Sequence, residues 1–298
     1  MKKEEVKNWF ETLQDNICNE LEKADGKAKF HEDIWTREDG GGGRSRVLTD
    51  GNVIEKGGVM FSAVSGDLPE KIQKALKLPS CTFFATGVSI VIHPKNPMVP
   101  IIHMNVRYFE TSTGNNWFGG GIDLTPHYID QDDAKYFHQK LKETCDKHND
   151  NYYPDFKKWA DNYFFIPHRN ETRGIGGIFF DRLTENEKFT INDRFNFVKD
   201  IGSLFAPIYT YFMDKNKDLA FTKQEKEWQL LRRSRYVEFN LVYDAGTKFG
   251  LETNGRIESI LVSMPPLAKW EYDFKPEKES KEEKTLNLLK KDIDWLTS

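Results

Sequence analysis

Apolar side chains recur every three or four residues in several segments of this chain, which is the spacing of one buried face of an α-helix. The first such segment predicts an amphipathic helix that ends near Asp25 and Gly26. Thr222 and Glu225 form a capping box that begins another helix. Further helices are predicted over residues 69–76, 130–148, 156–163, 191–213 (interrupted at Pro207) and 276–298.

Between the helices lie segments rich in β-branched and alternating apolar residues, which predict strands. Residues 81–93 and 100–110 should form an adjacent pair, and short strands are expected between 29 and 65. Further strands are predicted over residues 175–181, 235–244 and 257–263. Because short glycine-containing turns join consecutive strands, we expect an antiparallel sheet with helices on its faces. This is an α+β fold, in a single domain over residues 1–298.

One of these strands carries chemically distinctive side chains. Every second residue of a strand points to the same face, so His103, Asn105 and Arg107 share one face over roughly 13 Å, at about 3.3 Å per residue. The opposite face is apolar and can pack on a core. It consists of Ile102, Met104, Val106 and Tyr108. The row predicts a wall that binds carboxylates and carries a proton source, although an edge strand with a merely hydrated polar face fits the alternation equally well.

Two runs of glycine stand out. Residues 119–121 are all glycine and precede Asp123, and a chain usually carries such a run where its backbone passes close to another group. Residues 40–43 are also glycine and are followed by Arg44 and Arg46, which predicts a mobile lid for an anionic substrate; an inert flexible loop is the alternative. The second run is not a phosphate-binding P-loop, because it is not followed by Gly-Lys-Ser or Gly-Lys-Thr.

Composition narrows the classes of function. The chain has 43 basic and 47 acidic residues and a net charge of −4, so no basic field favours nucleic acid as a partner. Mean hydropathy is −0.67, and no apolar run approaches the roughly 18 residues of a membrane span, so no membrane insertion is expected. The first five residues carry charges of both signs, unlike a signal peptide. Three widely spaced cysteines without a CxxC motif favour reduced thiols and a cytoplasmic location.

Taken together, the motifs of this chain resemble those of the oxygen-dependent coproporphyrinogen III oxidases of haem synthesis, over nearly its whole length. The resemblance rests on residues 40–48, 93–109 (HPKNPMVPIIHMNVRYF), 117–126 (WFGGGIDLTP), 153–159, 168–177 (HRNETRGIGG), 236–240, 250–256 and 263–266. It implies a large, fairly flat antiparallel sheet between two helical layers, and a homodimer with the region 236–270 near its interface. It also implies a reaction in which dioxygen converts two of the four propionates of coproporphyrinogen III to vinyl groups, releasing carbon dioxide and hydrogen peroxide.

This implied chemistry assigns roles to individual residues. Arg107 is expected to bind a substrate carboxylate, because a guanidinium is always charged and can bind bidentately. Asp123 is expected to accept hydrogen bonds from pyrrole N–H groups and to stabilise positive charge on the ring; capping the turn ahead of Thr125 is its alternative role. His103 is expected to deliver a proton to the reduced oxygen. By position-by-position match, the further substrate contacts are Ser89, Asn105, Arg173 (for a further propionate), Asn254, Gly255 and Arg256.

The resemblance also bears on cofactors. The sequence has no flavin, nicotinamide or haem signature, and the family lets the electron-rich pyrrole react with dioxygen itself, so dioxygen is the co-substrate and no cofactor is required. Bacterial relatives carry a metal assignment at positions that match His93, His103, His138 and His168. Imidazoles suit a transition metal, but none of these histidines has the i,i+4 spacing of an HExxH-type site. A divalent metal is therefore not favoured, and His138, at the edge of an apolar helix face, is expected to be a hydrogen-bonded core residue. A metal-dependent oxygenase and a non-catalytic tetrapyrrole binder are the alternative functions.

Overall fold

The computed structural model describes residues 1–70, 73–74, 77, 79–252 and 255–297, and its centre is one seven-stranded sheet. The strands are β1 (His31–Thr36), β2 (Gly41–Thr49), β3 (Ile54–Asp67), β4 (Thr82–Pro94), β5 (Ile101–Thr111), β6 (Asn116–Thr125), β7 (Phe165–Ile166), β8 (Glu171–Thr172) and β9 (Gly177–Leu183). The spatial order is β1-β2-β3-β4-β5-β6-β9, every neighbouring pair is antiparallel, and β7 and β8 pair separately. The prediction of an antiparallel sheet is therefore confirmed.

The described residues also form eight helices. These are α1 (Lys3–Asp25), α2 (Gln131–Asp146), α3 (Tyr152–Tyr163), α4 (Ile191–Asn216), α5 (Lys223–Val242), α6 (Ala245–Glu252), α7 (Ile257–Leu261) and α8 (Lys281–Leu288). Helix α1 ends as its sequence predicts, because Gly26 adopts the left-handed conformation and donates its N–H to the carbonyl of Glu22. Helix α4 runs on through Pro207. Among the helices of the described residues, none is long and apolar enough to cross a membrane.

The two faces of the sheet differ in what covers them. On one face, α1 contacts β3 and β4, α4 contacts β5 and β6, and α3 contacts β9. This face holds the main core, including the residues predicted to face it, Ile102, Met104, Val106 and Tyr108. On the other face, Tyr236 of α5 packs against Val91 and Ile101 at one end of the sheet. The expected helical layers are thus present on both faces, and the second layer leaves the row on β5 partly exposed.

Two strands predicted near the C-terminus are helical instead. The segment 235–244 continues α5, which begins at the predicted capping box of Thr222. Its alternating apolar residues suggested a strand, but Arg232, Tyr236, Phe239 and Asn240 are buried at helical spacing. Tertiary packing of this face therefore overrides the β-propensity of the segment. The segment 257–263 was also predicted as a strand and contains the short helix α7.

Two other predictions also change, and a third is only partly covered by the described residues. The tail expected to be helical over 276–298 is helical only over Lys281–Leu288, followed by turns in which Leu289 and Trp295 are buried. Part of the short helix predicted over 69–76 lies outside the described residues. The lid predicted at 40–43 is wrong, because residues from Gly41 onward belong to β2 and pair with β3.

The two arginines of that predicted lid point away from the polar row on β5. Arg44 is paired in register with Phe61 on the core side of the sheet, and it donates to Gln14 and Asp15 of α1. Arg46 forms ion pairs with Asp15 and with Glu32 of β1. Both guanidiniums therefore join the first helix to the sheet, and neither is available in this structure to an anionic substrate.

Candidate active site

The polar row predicted on β5 lies on the open face of the sheet. In the register of the sheet, Asn105 stands between Ser89 of β4 and Gly121 of β6, and Arg107 stands between Gly87 and Gly119. Asn105 and Arg107 are therefore flanked by side chains no larger than a serine, whereas His103 lies between Val91 and Asp123. This leaves a shallow floor on both sides of Asn105 and Arg107, onto which a broad, flat molecule can be laid.

Arg107 is held by two acceptors. Its Nη1 donates to Oδ1 of Asn105 at 2.8 Å, and its Nη2 donates to Oδ1 of Asp181 at 2.9 Å. The side chains of Arg107 and Asp181 are 37% and 30% exposed. Asp181 lies on β9, two strands away, and was not among the predicted site residues. It is the last residue of the predicted strand 175–181, and nothing else in the sequence indicated a role for it.

The glycine run of β6 explains why Arg107 can reach Asp181. A Cβ atom added at Gly119 would lie 2.3 Å from Oδ1 of Asp181 and 2.9 Å from Nη2 of Arg107. Such contacts are shorter than real Cβ atoms make, so a side chain at this position would displace the two groups from the place where they meet over β6. The prediction that the backbone of this run passes close to another group is confirmed.

His103 lies at the open face and is hydrogen-bonded to a buried carboxylate. Its Nδ1 lies 2.8 Å from Oδ1 of Asp123, which is its direct cross-strand neighbour on β6. Because a carboxylate accepts, Nδ1 carries the hydrogen, and Nε2 has no hydrogen-bond partner among the residues that the structure describes. The His103 side chain is 18% exposed, whereas Asp123 is 1% exposed. Asp123 therefore orients the imidazole from behind and leaves one ring nitrogen toward the open face.

Asp123 is itself bound by Arg173. Nη2 of Arg173 lies 2.8 Å from each carboxylate oxygen, and Nη1 donates to Oδ1 of Asn240 at 2.6 Å. The guanidinium carbon lies 4.5 Å from the ring centroids of Phe164 and Tyr236 and 4.7 Å from that of Phe239. Three aromatic rings and one carboxylate thus enclose a positive charge that is only 2% exposed.

The charges of this pair stabilise each other. Burial by itself would raise the pKa of Asp123, but the positive charge of Arg173 and the hydrogen bonds from His103 and Arg173 outweigh burial and hold this pKa below its usual value. Burial would likewise lower the pKa of Arg173, and the charge of Asp123 outweighs it and raises this pKa. Asp123 is therefore a carboxylate, and Arg173 a cation, throughout the physiological pH range.

These contacts change what Asp123 and Arg173 can do. Both were expected to touch the substrate, Asp123 through pyrrole N–H groups and Arg173 through a propionate. In this structure neither reaches the open face, because the two are paired with each other in a buried position. Their route to a bound molecule is through His103. Asn240, Tyr236 and Phe239 complete the enclosure, and they lie in the segment whose helical conformation the sequence did not predict.

The other predicted contacts lie apart from this cluster. Arg256 donates to the hydroxyls of Ser45 and Ser259 and forms an ion pair with Asp33, which ties the start of α7 to the first two strands. Gly255 donates its N–H to the carbonyl of Gly250. Asn254 lies outside the described residues.

The four histidines of the metal alternative do not converge. His138 uses both ring nitrogens, at 3.0 Å from the hydroxyl of Tyr153 and 2.9 Å from the carbonyl of Ile175, as expected for a hydrogen-bonded core residue. Burial lowers its pKa to about 3. His93 is also fully buried, with Nε2 against the carbonyl of Ser263, and burial with the charge of Arg233 lowers its pKa to about 3.

His168, the fourth of them, binds Glu238 at the surface through Nε2. Within the described part of the chain, no three His, Cys, Asp or Glu side chains form a group that could hold a metal ion. The histidine set proposed by resemblance therefore does not fit a metal site in the described part of the chain.

Comparison with known proteins identifies the family of this chain. The family model described as coproporphyrinogen III oxidase matches residues 5–295. The chain is 52% identical over 300 residues to the oxygen-dependent coproporphyrinogen-III oxidase, mitochondrial, of Homo sapiens, covering 95% of this chain and 65% of the relative. It is 48% identical over 310 residues to coproporphyrinogen-III oxidase 1, chloroplastic, of Arabidopsis thaliana, covering 98% and 80%. It is 46% identical over 318 residues to the oxygen-dependent coproporphyrinogen-III oxidase of Prochlorococcus marinus (strain MIT 9301), covering 99% and 93%.

Proposed function

The chain belongs to the coproporphyrinogen III oxidase family, and we propose that the open face of its sheet is where it carries out the oxygen-dependent decarboxylation of coproporphyrinogen III in haem biosynthesis. The observation that carries this assignment is the row of His103, Asn105 and Arg107, with only glycine and serine beside Asn105 and Arg107. It combines a carboxylate-binding cation, a proton-carrying ring and room for a tetrapyrrole on one surface.

The reaction sets two requirements for this surface. For each vinyl group, a propionate loses its carboxylate as carbon dioxide and a hydrogen with its electron pair from the carbon next to the ring. That hydrogen and its electron pair reduce one dioxygen to hydroperoxide, and one added proton completes hydrogen peroxide. The protein must therefore hold a carboxylate and supply one proton for each vinyl group.

Arg107 meets the first requirement. A guanidinium has five N–H donors, and two are engaged by Asn105 and Asp181 among the described residues, so three are left for a propionate. Ser89 and Gly121 flank Asn105 in the register, so the substrate ring can approach the backbone closely there. The bound carboxylate then lies along the strand from His103, at the far end of the polar row.

His103 meets the second requirement. With Nδ1 held by Asp123, its Nε2 faces the open side and is the atom that can give a proton to reduced oxygen. A carboxylate behind the ring fixes its tautomer and its orientation. The charge of Arg173 keeps that carboxylate ionised. In this assignment Asp123 and Arg173 are positioning residues for His103, and the co-substrate is dioxygen with no required metal or organic cofactor.

The enzyme is also proposed to act as a homodimer through the region 236–270. Exposed large apolar side chains concentrate in and beside this part of the chain: Leu241, Val242, Leu251, Ile257, Leu267, Trp270 and Tyr272. Several apolar side chains in one exposed segment are typical of an interaction surface. A second copy of the chain is the proposed occupant.

A cytoplasmic location is the remaining part of the proposal. The thiols of Cys18, Cys81 and Cys145 are free, which suits a reducing compartment. The relatives named chloroplastic and mitochondrial give the competing locations. Fractionation of cells that express the tagged protein, probed against organelle markers, separates these three outcomes.

One assay tests the function as a whole. Purified protein is given coproporphyrinogen III in air, under argon and in air with chelator, while protoporphyrinogen and carbon dioxide are followed. The proposal expects turnover in air with or without chelator and none under argon. Turnover that chelator abolishes would favour the metal-dependent oxygenase, and binding without turnover in air would favour the tetrapyrrole binder.

A further inference from the structure

Asp181 is the one carboxylate that touches the guanidinium of Arg107 among the residues that the structure describes. It lies on β9, two strands from Arg107, and the two groups meet across Gly119 of the intervening strand. The approach is confined to one geometry, because the backbone of Gly119 lies directly under the contact. A side chain at 119 would displace one or both of these groups from this contact.

The exposure of the pair favours an orienting role over a contribution to folding stability. Both side chains are about one-third exposed, and ion pairs at such exposure contribute little to folding stability. Asn105 holds Nη1 and Asp181 holds Nη2, so the guanidinium plane is fixed at both of its terminal nitrogens. Its remaining N–H groups are then presented in one direction, which a bidentate partner requires.

Asp181 also neutralises Arg107 while the site is empty. An arriving carboxylate would meet a guanidinium that is already paired, and the negative charge of Asp181 would oppose the binding of a second anion nearby. Asp181 therefore has two opposite effects on the binding of the substrate carboxylate, and both act through Arg107. Asp181 orients Arg107 for binding, and its charge weakens that binding.

We propose that Asp181 is a positioning residue for the substrate carboxylate, acting through Arg107 both as the acceptor that orients the guanidinium and as its counter-ion in the empty site. This inference rests on the proposed function, because it assumes that Arg107 binds a propionate. Asp181 itself does not touch the substrate.

Two uncharged variants separate the two effects. Asp181→Asn removes the charge and keeps an acceptor for Nη2, whereas Asp181→Ala removes both. The probe is coproporphyrin III, the oxidised tetracarboxylate that cannot turn over, with its Kd measured by fluorescence at low salt. We expect Asp181→Asn to bind about twofold or more tightly than wild type, because a competing anion is gone. We expect Asp181→Ala to bind roughly three- to tenfold more weakly than Asp181→Asn, because the guanidinium loses its orientation.

The same pair of variants on an Arg107→Ala background is the decisive comparison. If Asp181 acts through Arg107, the Asn and Ala variants bind the porphyrin equally well there, because nothing is left to orient. A difference that survives without Arg107, or equal binding of the two variants with Arg107 present, would overturn the proposal. Weaker binding by Asp181→Asn than by wild type would overturn the counter-ion role.

Glu32 supplies the matched control. It is a 34% exposed carboxylate on β1 that pairs at 2.8 Å with Arg46 on the neighbouring strand, away from the polar row. Glu32→Gln and Glu32→Ala should leave porphyrin binding unchanged, and circular dichroism checks the fold of every variant. Because this readout needs no turnover, wild-type protein that binds the porphyrin but does not oxidise coproporphyrinogen III would contradict the proposed function alone. Wild-type protein that binds no porphyrin would overturn both.

Discussion

Nη2 of Arg173 lies 2.8 Å from both carboxylate oxygens of Asp123, and both side chains are almost completely buried. One of the same oxygens lies 2.8 Å from Nδ1 of His103. A charge in the protein interior is thus connected through a single carboxylate to the ring that faces the substrate floor. Removing the carboxylate should therefore affect the fold and the reaction together.

The first prediction concerns Asp123→Asn. The change leaves Arg173 without its counter-ion, and breaking a buried ion pair costs about 3–5 kcal/mol, so the melting temperature should fall together with turnover. The double variant Asp123→Asn with Arg173→Met removes both charges and should recover much of the lost stability. Turnover should stay low in the double variant because His103 still lacks its carboxylate. Recovery of turnover together with stability would show that Asp123 serves the fold only.

The second prediction concerns Arg107. Arg107→Ala should lower kcat/KM about 10- to 100-fold, the range expected when hydrogen bonds to a charged group worth about 1.5–3 kcal/mol are lost. Arg107→Lys should rescue this only in part, because an ammonium keeps the charge and loses the planar fork. Arg37 is equally exposed at 37% and pairs with Asp39, so Arg37→Ala is the control. Near-wild-type kinetics in a folded Arg107→Ala protein would rule out the carboxylate-binding role.

The third prediction concerns His103. His103→Ala should slow turnover by about 10²–10³-fold, the scale of general acid catalysis, without changing the metal content found by elemental analysis. His148→Ala is the control. The His148 side chain is 17% exposed and its Nε2 lies 2.8 Å from a carboxylate oxygen of Asp200, which matches the exposure of His103 and its distance from Asp123. If a stoichiometric metal is lost in His103→Ala and in no other variant, His103 is a metal ligand instead.

The fourth prediction concerns the dimer. Leu267 is 61% exposed within the proposed interface, and a carboxylate placed there should oppose close packing of a second copy. Light scattering should give wild-type protein about twice the chain mass of 34.8 kDa and Leu267→Asp a mass near that of one chain. Leu219, 49% exposed and outside that segment, provides the control substitution Leu219→Asp. Monomeric wild-type protein, or a dimer unaffected by Leu267→Asp, would contradict the proposed interface.

The fifth prediction concerns acid stability through Glu238. Burial would raise the pKa of Glu238, but hydrogen bonds from Arg169, His168 and Trp270 outweigh it and lower this pKa from 4.5 to about 2. A lowered pKa in the folded state contributes stability above the ordinary value, and that contribution is lost as pH falls from about 4.5 toward 2. The difference in unfolding free energy between wild type and Glu238→Gln should therefore shrink over this range.

Urea denaturation at a fixed protein concentration and a series of pH values measures that difference. Glu143 is an exposed carboxylate that pairs with Lys140 within one helix. Glu143→Gln should show a smaller difference than Glu238→Gln, because an exposed pair contributes little. A difference for Glu238→Gln that stays constant down to pH 2 would contradict the role assigned to these hydrogen bonds.

Part of the candidate site could be predicted because strand periodicity is local. The alternation on β5 places His103, Asn105 and Arg107 on one face whatever the rest of the chain does, and the structure has them there. The capping box at Thr222 likewise predicts where α5 begins, since its two hydrogen bonds join residues three apart. The sequence pattern failed for the continuation of the same helix. There the buried face is determined by its contact with Arg173, which lies 67 residues from Asn240 along the chain.

By itself, the sequence determined the family, the antiparallel sheet and the polar row, because each of these follows from motifs or from periods of two and 3.6 residues. The tertiary structure decided which groups meet that row. Arg107 reaches Asp181 across 74 residues only because β9 pairs with β6 and Gly119 lies between them. Asp123 serves as the buried partner of Arg173 because α5 closes over them with aromatic rings. Such contacts depend on strand pairing and helix packing between residues far apart in sequence, and the periodicity within one segment carries no information about them.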